Sequence, residues 1–119
     1  MIHRTDLPQV LQTVQGFSAT NVVYNAFGID KAFEDPEKAP PLPFVVYYFS
    51  EEEPFNADGI NYYTATHCIV ELYTKYRNLE IEQRFENVFT SYRIPFNKTG
   101  DYLNDDQDYM IAFDFYLPN

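Results

Sequence analysis

The sequence has no tryptophan, a single cysteine and few basic residues. Its 119 residues include eight lysines and arginines against 18 aspartates and glutamates, which gives a net charge of −10. Because only Cys68 is present, an intrachain disulfide and a cysteine-based metal cluster are both excluded. Contacts to phosphate require clustered basic side chains, so sequence-specific nucleic-acid binding is not expected.

Signals for secretion and membrane insertion are also missing. The opening stretch MIHRTDLPQV lacks the apolar core of a signal peptide. No apolar run approaches the roughly 20 residues that cross a bilayer. We therefore expect a soluble protein that is made inside the cell and does not bind a membrane.

Motifs that carry common enzyme chemistry are absent, including G-x-S-x-G, the P-loop, G-x-G-x-x-G and H-E-x-x-H. The three serines, Ser18, Ser50 and Ser91, have no organised base near them in sequence. His67 and Cys68 are adjacent, and neighbours on a strand point to opposite faces, so they cannot form a dyad. The sequence predicts a core thiol, a half-exposed imidazole, no enzyme activity and no cofactor.

Carboxylates cluster in the stretch NDDQD, where Asp105, Asp106 and Asp108 lie close to Asp101. Such clusters can hold a hard cation. The calcium-loop pattern is missing, however, and a hairpin turn favours Asn and Asp for backbone reasons. We expect no specific metal site, while cation binding by the turn 101–108 stays open.

Aromatic and acidic residues are what the chain has in excess. It contains 11 tyrosines and 11 phenylalanines, which β-sheets favour and which protein interfaces also use. The charge is uneven: residues 1–50 carry five acidic and three basic side chains, and residues 51–119 carry 13 and five. An acidic surface of this kind repels DNA or imitates it.

Two helices are predicted from apolar spacing. The first predicted helix covers residues 5–16. Thr5 or Asp6 is expected to cap its N-terminus, and Gly16 is expected to end it. Residues 77–94 form the second helix, which places Glu82 among the solvent-facing residues. The apolar stripes are Leu7, Val10, Leu11 and Val14 in the first helix, and Ile81, Phe85, Val88, Phe89 and Tyr92 in the second.

Five strands are predicted around these helices, at 20–27, 44–49, 60–76, 95–103 and 108–118. The run 44–49 suits a strand buried on both faces, and 50–59 reads as a turn because of Pro54 and Asp58-Gly59. Residues 28–43 form a long loop. The predicted fold is a single α+β domain over 1–119 of order α-β-β-β-α-β-β, in which two helices pack on a mostly antiparallel sheet of about five strands.

The region 40–117 resembles a family of small proteins from long-tailed bacteriophages (siphoviruses) and prophages, the tail completion or tail terminator proteins. The resemblance rests on the order and spacing of several short stretches. These are LPF-V-Y (42–47), F-ADG-x-Y (55–62), I-VELYT (69–74), LEIEQ-FE (79–86), IPF-K (94–98) and an acidic turn before an aromatic strand (104–116).

The resemblance implies a virion protein that forms a ring, usually hexameric, at the head-proximal end of the tail tube. Such a ring is assembled in the host cytoplasm, stops tube polymerisation and joins the tail to the head connector. Its partners would be further copies of the chain, the tail tube protein and the connector protein, with DNA passing through an acidic lumen without specific binding.

Candidate residues follow from this implied role. We expect subunit contacts through the aromatic residues Phe27, Phe33, Phe55, Tyr62 and Tyr63. We expect contacts to the tube or connector through loops 51–58 and 101–108, with Glu51, Glu52, Glu53, Asp58, Asp105 and Asp106 as candidates. Three alternatives remain open: an acidic DNA mimic that inhibits a host nucleic-acid enzyme, a head-side joining protein, and an enzyme or small-ligand domain in which folding brings carboxylates together in a pocket.

Overall fold

The computed structural model describes residues 2–24, 41–57, 60–102 and 108–118, with the backbone alone for 51–57, 60–64, 101–102 and 108. A 3-10 turn at Arg4–Asp6 leads into helix α1. The elements are α1 (Leu7–Gln12), β1 (Val22–Tyr24), β2 (Phe44–Ala57), β3 (Ile60–Lys75), α2 (Leu79–Ser91), β4 (Asn97–Tyr102) and β5 (Asp108–Pro118). The predicted α+β class and element order are confirmed.

The strands form one five-stranded sheet of order β1-β2-β3-β5-β4. The pairs β2–β3, β3–β5 and β4–β5 are antiparallel, which confirms a mostly antiparallel sheet. The pair β1–β2 is parallel, so the sheet is mixed. Parallel neighbours need a connection of a dozen or more residues, and the stretch 25–43 is long enough to supply it.

Strand β2 is longer than the sequence indicates. It continues to Ala57, so the predicted turn at 50–59 is wrong over 50–57. Pro54 has no N–H to donate to a neighbouring strand. Proline is therefore tolerated in a strand where its nitrogen faces a side that has no paired strand. Here β1 pairs only with residues 45–47 of β2, and Pro54 is paired on its other side with Thr64.

Helix α1 is shorter than the predicted 5–16, because the α-helical part ends at Gln12. Its predicted apolar stripe, from Leu7 to Val14, is confirmed as buried. Gly16 adopts a φ of +93°, the left-handed region that favours glycine at the end of a helix. Within the described ranges, no helix is long and apolar enough to cross a membrane.

Helix α2 begins at Leu79, where the Asn78 side chain accepts a hydrogen bond of 3.1 Å from the Ile81 N–H. This cap satisfies one of the unpaired donors of the first turn. The helix is shorter than the predicted 77–94. Tyr92, which the stripe placed toward the core, is 38% exposed because it follows the last helical residue.

Both helices pack on one face of the sheet. Phe85 and Phe89 of α2 are completely buried, and the Phe89 ring lies 5.3 Å from that of Phe113 and 5.1 Å from that of Phe115. The same cluster takes in Leu7 and Leu11 of α1. The predicted alternation is confirmed in β5, and Cys68, Val70 and Leu72 of β3 share the core face.

Glu82 contradicts its predicted position on the solvent side of α2, because it is only 2% exposed. A buried carboxylate needs charged partners. Lys98 Nζ lies 3.2 Å from its Oε1 and Arg77 Nε lies 3.4 Å from its Oε2. Lys98 also donates to Glu86 Oε2 at 3.0 Å, so one ion-pair cluster joins α2 to β4.

The turn after α2 generates a first prediction. Arg93 has a φ of +59°, and the Ile94 N–H closes the turn on the Phe89 carbonyl at 2.9 Å. A residue with a Cβ is strained there by about 1 kcal/mol. We expect Arg93→Gly to raise the free energy of unfolding by about 0.5–1 kcal/mol in denaturant titrations. Arg93→Ala keeps the strain and should give no such gain; equal gains in both variants would contradict the assignment.

The ion-pair cluster generates a second prediction. Burial lowers the pKa of Lys98, but the hydrogen bonds that its ammonium donates to Glu86 and Glu82, together with the negative charges of these carboxylates, outweigh burial, so the pKa is raised overall. A raised lysine pKa contributes stability that is complete below the unfolded value of 10.5 and is lost as pH rises through the folded value. Lys98→Met should cost roughly 1–3 kcal/mol at pH 7, and the difference from the unaltered protein should shrink above pH 10.5.

The matched control is Arg84→Met, which removes a surface cation that pairs with the exposed Glu80 at 2.8 Å. We expect a cost of about 0.5 kcal/mol. That cost should not change with pH over the lysine range, because guanidinium does not titrate there. A Lys98→Met difference that stays constant up to pH 12 would refute the linkage.

Candidate functional site

A two-stranded hairpin arm, residues 54–57 of β2 and 60–64 of β3, extends beyond the rest of the sheet. Strand β3 is paired with β5 only from Ala65 onward. In the described part of the chain, the arm's strands therefore have only each other as neighbours. Four residues of strand reach about 13 Å, and a lone two-stranded ribbon is at best marginally stable in water.

Several predicted interface residues lie on this arm. Phe55 is directly opposite Tyr63 in the strand register, and Tyr62 is the neighbouring residue on β3. Glu52 and Glu53 lie at the base of the arm, opposite Thr66 and Ala65. The expectation that 51–58 is a loop is wrong for Glu51, Glu52 and Glu53, which belong to β2.

The other predicted contact residues fall elsewhere. For the second expected loop, 101–108, Asp101 and Tyr102 belong to β4 and Asp108 begins β5. The candidates Phe27, Phe33, Asp58, Asp105 and Asp106 lie outside the described residues.

An aromatic edge patch lies where β1 borders the sheet, and consists of Arg4, Tyr24, Tyr47 and Phe49. The Tyr24 ring is 5.3 Å from that of Tyr47 and 5.9 Å from that of Phe49. Arg4 stands over the Phe49 ring at 5.6 Å. Tyr24 is half exposed, at 50%. Burial, followed by the neighbouring Tyr24 phenol, raises the pKa of Tyr47, so this hydroxyl stays neutral at ordinary pH.

The sheet face opposite the helices, called the outer face below, carries a second apolar cluster. Phe44 and Tyr73 stack with their ring centroids 4.9 Å apart, beside the fully buried Val46. Val45 is also fully buried, on the core face. The prediction of a strand buried on both faces is therefore confirmed for residues 44–46, whereas residues 47–49 are only half-buried.

A chain of polar side chains crosses the outer face, and the sequence did not reveal it. Ser50 Oγ lies 2.8 Å from His67 Nδ1, and His67 Nε2 lies 3.3 Å from Asp114 Oδ1. Asn97 Nδ2 donates to the same Asp114 oxygen at 3.2 Å. Ser50 thus has a base in contact that is distant from it in sequence, because strand pairing joins residues 17 and 47 positions apart. The only available signal was the alternation that placed them on one face.

The neighbouring cysteine has the environment that was predicted. Cys68 is completely buried on the core face while His67 is half-buried on the other. Burial raises the pKa of the Cys68 thiol to about 12. This thiol is therefore protonated and inert in the folded chain.

Among the side chains that the structure describes, no group of three or more histidine, cysteine, aspartate or glutamate residues is arranged to hold a metal ion. Residues 103–107 of the predicted acidic turn 101–108 lie outside that part of the chain.

Comparisons with known proteins add little. No family model matches the chain, and no curated protein matches it in sequence. Among solved structures, it is similar to a chain of the "virion of native gene transfer agent (GTA) particle". The TM-score is 0.41 at 10% identity, over 95% of this chain and 84% of the other. A likeness at this level carries no inference about function.

The arm generates a third prediction, for the isolated monomer. Backbone amides of residues 55–57 and 60–64 should exchange with solvent at least about tenfold faster than those of residues 68–73, which are paired with β2 on one side and β5 on the other. Hydrogen exchange followed by mass spectrometry of peptides measures both segments in one sample. Equal protection would show that the arm has a further neighbour within its own chain.

Proposed function

We propose that this protein is a structural virion component that forms a ring, of six copies by the resemblance, at the head-proximal end of a phage tail tube. The ring stops tube polymerisation and joins the tail to the head connector. The observation that carries the proposal is the hairpin arm, because it extends outside the sheet and needs a partner surface to be stable. The ring form and its position at the head-proximal end of the tail tube are inferred from the family resemblance of residues 40–117.

The arm suits a contact between identical subunits. Phe55, Tyr62 and Tyr63 are concentrated on its few residues, and aromatic residues are enriched at the centres of protein interfaces. An arm that inserts into a neighbour makes a head-to-tail contact, since arm and receiving surface differ. Repetition of such a contact closes a ring when the rotation between subunits permits it.

The edges of the sheet support the same arrangement. Strands β1 and β4 lie at opposite ends of the strand order, so the two edges offer different surfaces. The aromatic edge patch accompanies β1, with Tyr24 half exposed. By contrast, β4 carries Lys98 and Thr99, both exposed. Two unlike edges fit a heterologous ring better than a two-fold dimer.

Contacts along the ring axis would fall to the acidic segments. In this proposal Glu51, Glu52, Glu53, Asp58, Asp105 and Asp106 meet the tube protein or the connector. Carboxylates that face the lumen repel the phosphates of passing DNA, so the DNA is not retained.

A DNA mimic is the principal alternative, and the described acidic side chains argue against it. A mimic needs exposed carboxylates along one face. Glu71 and Glu82 are buried, while Glu80 and Glu86 are paired with Arg84 and Lys98. The exposed negative charge of this part of the chain is thus partly neutralised by the protein itself.

The deciding experiment is electron microscopy of tails assembled without this protein. Overlong tubes are expected if the ring terminates the tail. Tails of normal length that are not attached to heads would indicate a joining role alone, and would favour the head-side protein. Normal, fully attached tails would refute both, and a host nucleic-acid enzyme recovered with the purified protein would support the mimic.

The fourth prediction concerns the arm. Residues 54–64 can be replaced by Asn-Gly, a two-residue hairpin turn, because Glu53 and Ala65 are already paired. The shortened chain should fold with a stability within about 1 kcal/mol of the original, since surface changes outside the core cost little. It should no longer form rings.

Native mass spectrometry, of the purified protein and of material released from tails, measures the oligomer. The control is Leu79→Gln, which removes an apolar side chain that is 64% exposed on α2, and we expect it to preserve the ring. Rings of unchanged size from the shortened chain would exclude the arm as the subunit contact.

A further inference from the structure

The polar chain on the outer face joins four strands through four side chains. Ser50 comes from β2, His67 from β3, Asp114 from β5 and Asn97 from β4. The Ser50–His67 and His67–Asp114 distances of 2.8 and 3.3 Å give the connectivity of a nucleophile, a base and an orienting carboxylate. The proposed ring leaves this arrangement without a role.

The carboxylate decides which imidazole nitrogen carries the proton. Ionised Asp114 can only accept hydrogen bonds, so the nitrogen facing it, Nε2, is the N–H donor of the neutral ring. The other nitrogen, Nδ1, is then the acceptor, and it faces the Ser50 hydroxyl. In this state His67 is arranged to take the proton from Ser50.

Further contacts hold the base in place. The Tyr116 ring stacks on the imidazole, with centroids 4.8 Å apart and planes inclined by 21°. Asn97 donates to the oxygen of Asp114 that faces His67. A base whose ring plane and tautomer are both fixed loses little freedom when it removes a proton.

The backbone at Ser50 contains a β-bulge, which changes the direction of the side chain. Between the pairs Phe49–Cys68 and Glu52–Thr66 the register shifts, so two residues of β2 oppose His67 alone. Such a β-bulge re-aims a side chain and is frequent next to reactive sites. Ser50 is exposed, so a reagent can reach its hydroxyl.

We propose that Ser50 is a nucleophile activated by His67, and that it accepts the acyl group of small esters. Ser50 Oγ bonds to the ester carbonyl carbon, and its proton passes to His67 Nδ1. The bond from that carbon to the leaving oxygen then breaks, and the leaving alkoxide takes the proton from His67. The products are an acyl-serine and a free alcohol, without any other reactant.

The test uses p-nitrophenyl acetate on the full-length protein, with peptide mass spectrometry to measure the acetylation rate of each serine. Ser91 is the internal reference: it is also exposed, but its hydroxyl donates to the Val88 carbonyl at 2.7 Å, and among the described residues no histidine is in hydrogen-bond contact with it. We expect Ser50 to react roughly a hundredfold faster than Ser91, the usual lower range for general-base catalysis.

Variants separate activation from simple exposure. His67→Gln should lower the Ser50 rate by roughly a hundredfold and leave the Ser91 rate unchanged. Asp114→Asn should lower the Ser50 acetylation rate by at least about tenfold, because the His67 proton is then no longer fixed on Nε2. Asp114→Glu restores a carboxylate and should recover part of the lost rate. Circular dichroism and unfolding midpoints establish that each variant is folded.

The proposal is wrong if Ser50 and Ser91 react at the same rate in the unaltered protein, a comparison that no variant's folding can affect. It is also wrong if His67→Gln folds normally and retains the fast rate. A fast Ser50 that becomes as slow as Ser91 in His67→Gln supports it.

Discussion

The packing of Phe85 and Phe89 onto β5 is the contact on which the rest of the structure depends. These two rings, with those of Phe113 and Phe115, close one face of the sheet beneath α2. Burial of a phenylalanine side chain contributes about 1.5–3 kcal/mol each. Because this face is filled from within the chain, its apolar side chains are not available for contacts with other molecules.

The two proposals depend on different parts of the sheet. The ring depends on the arm and on the aromatic edge patch, which lie at the margins of the sheet. The reactive serine depends on side chains that β2, β3, β4 and β5 place on the outer face. The strand pairing that defines the sheet positions both, although neither proposal requires the other.

The features that could be predicted from the sequence are those that depend on local periodicity. Alternation in β5 and the 3.6-residue spacing of Phe85 and Phe89 each reflect one element facing one core, so class, order and most of the core were accessible. The extent of β2 was not, because Pro54 and three glutamates suggest a turn when strand pairing is unknown. Glu82 was misplaced for a similar reason, since its partners Arg77 and Lys98 lie outside its helix. The Ser50–His67–Asp114 chain depends on register alone, which no local pattern contains.

The buried cysteine has a consequence for the proposed virion ring once it is outside a cell. Oxidants and disulfides attack the thiolate, and Cys68 is enclosed and held protonated by a pKa of about 12. Since the chain has no other cysteine, the folded protein offers no sulfur through which copies could become cross-linked in air. Ageing by thiol oxidation would therefore be confined to molecules that have first unfolded.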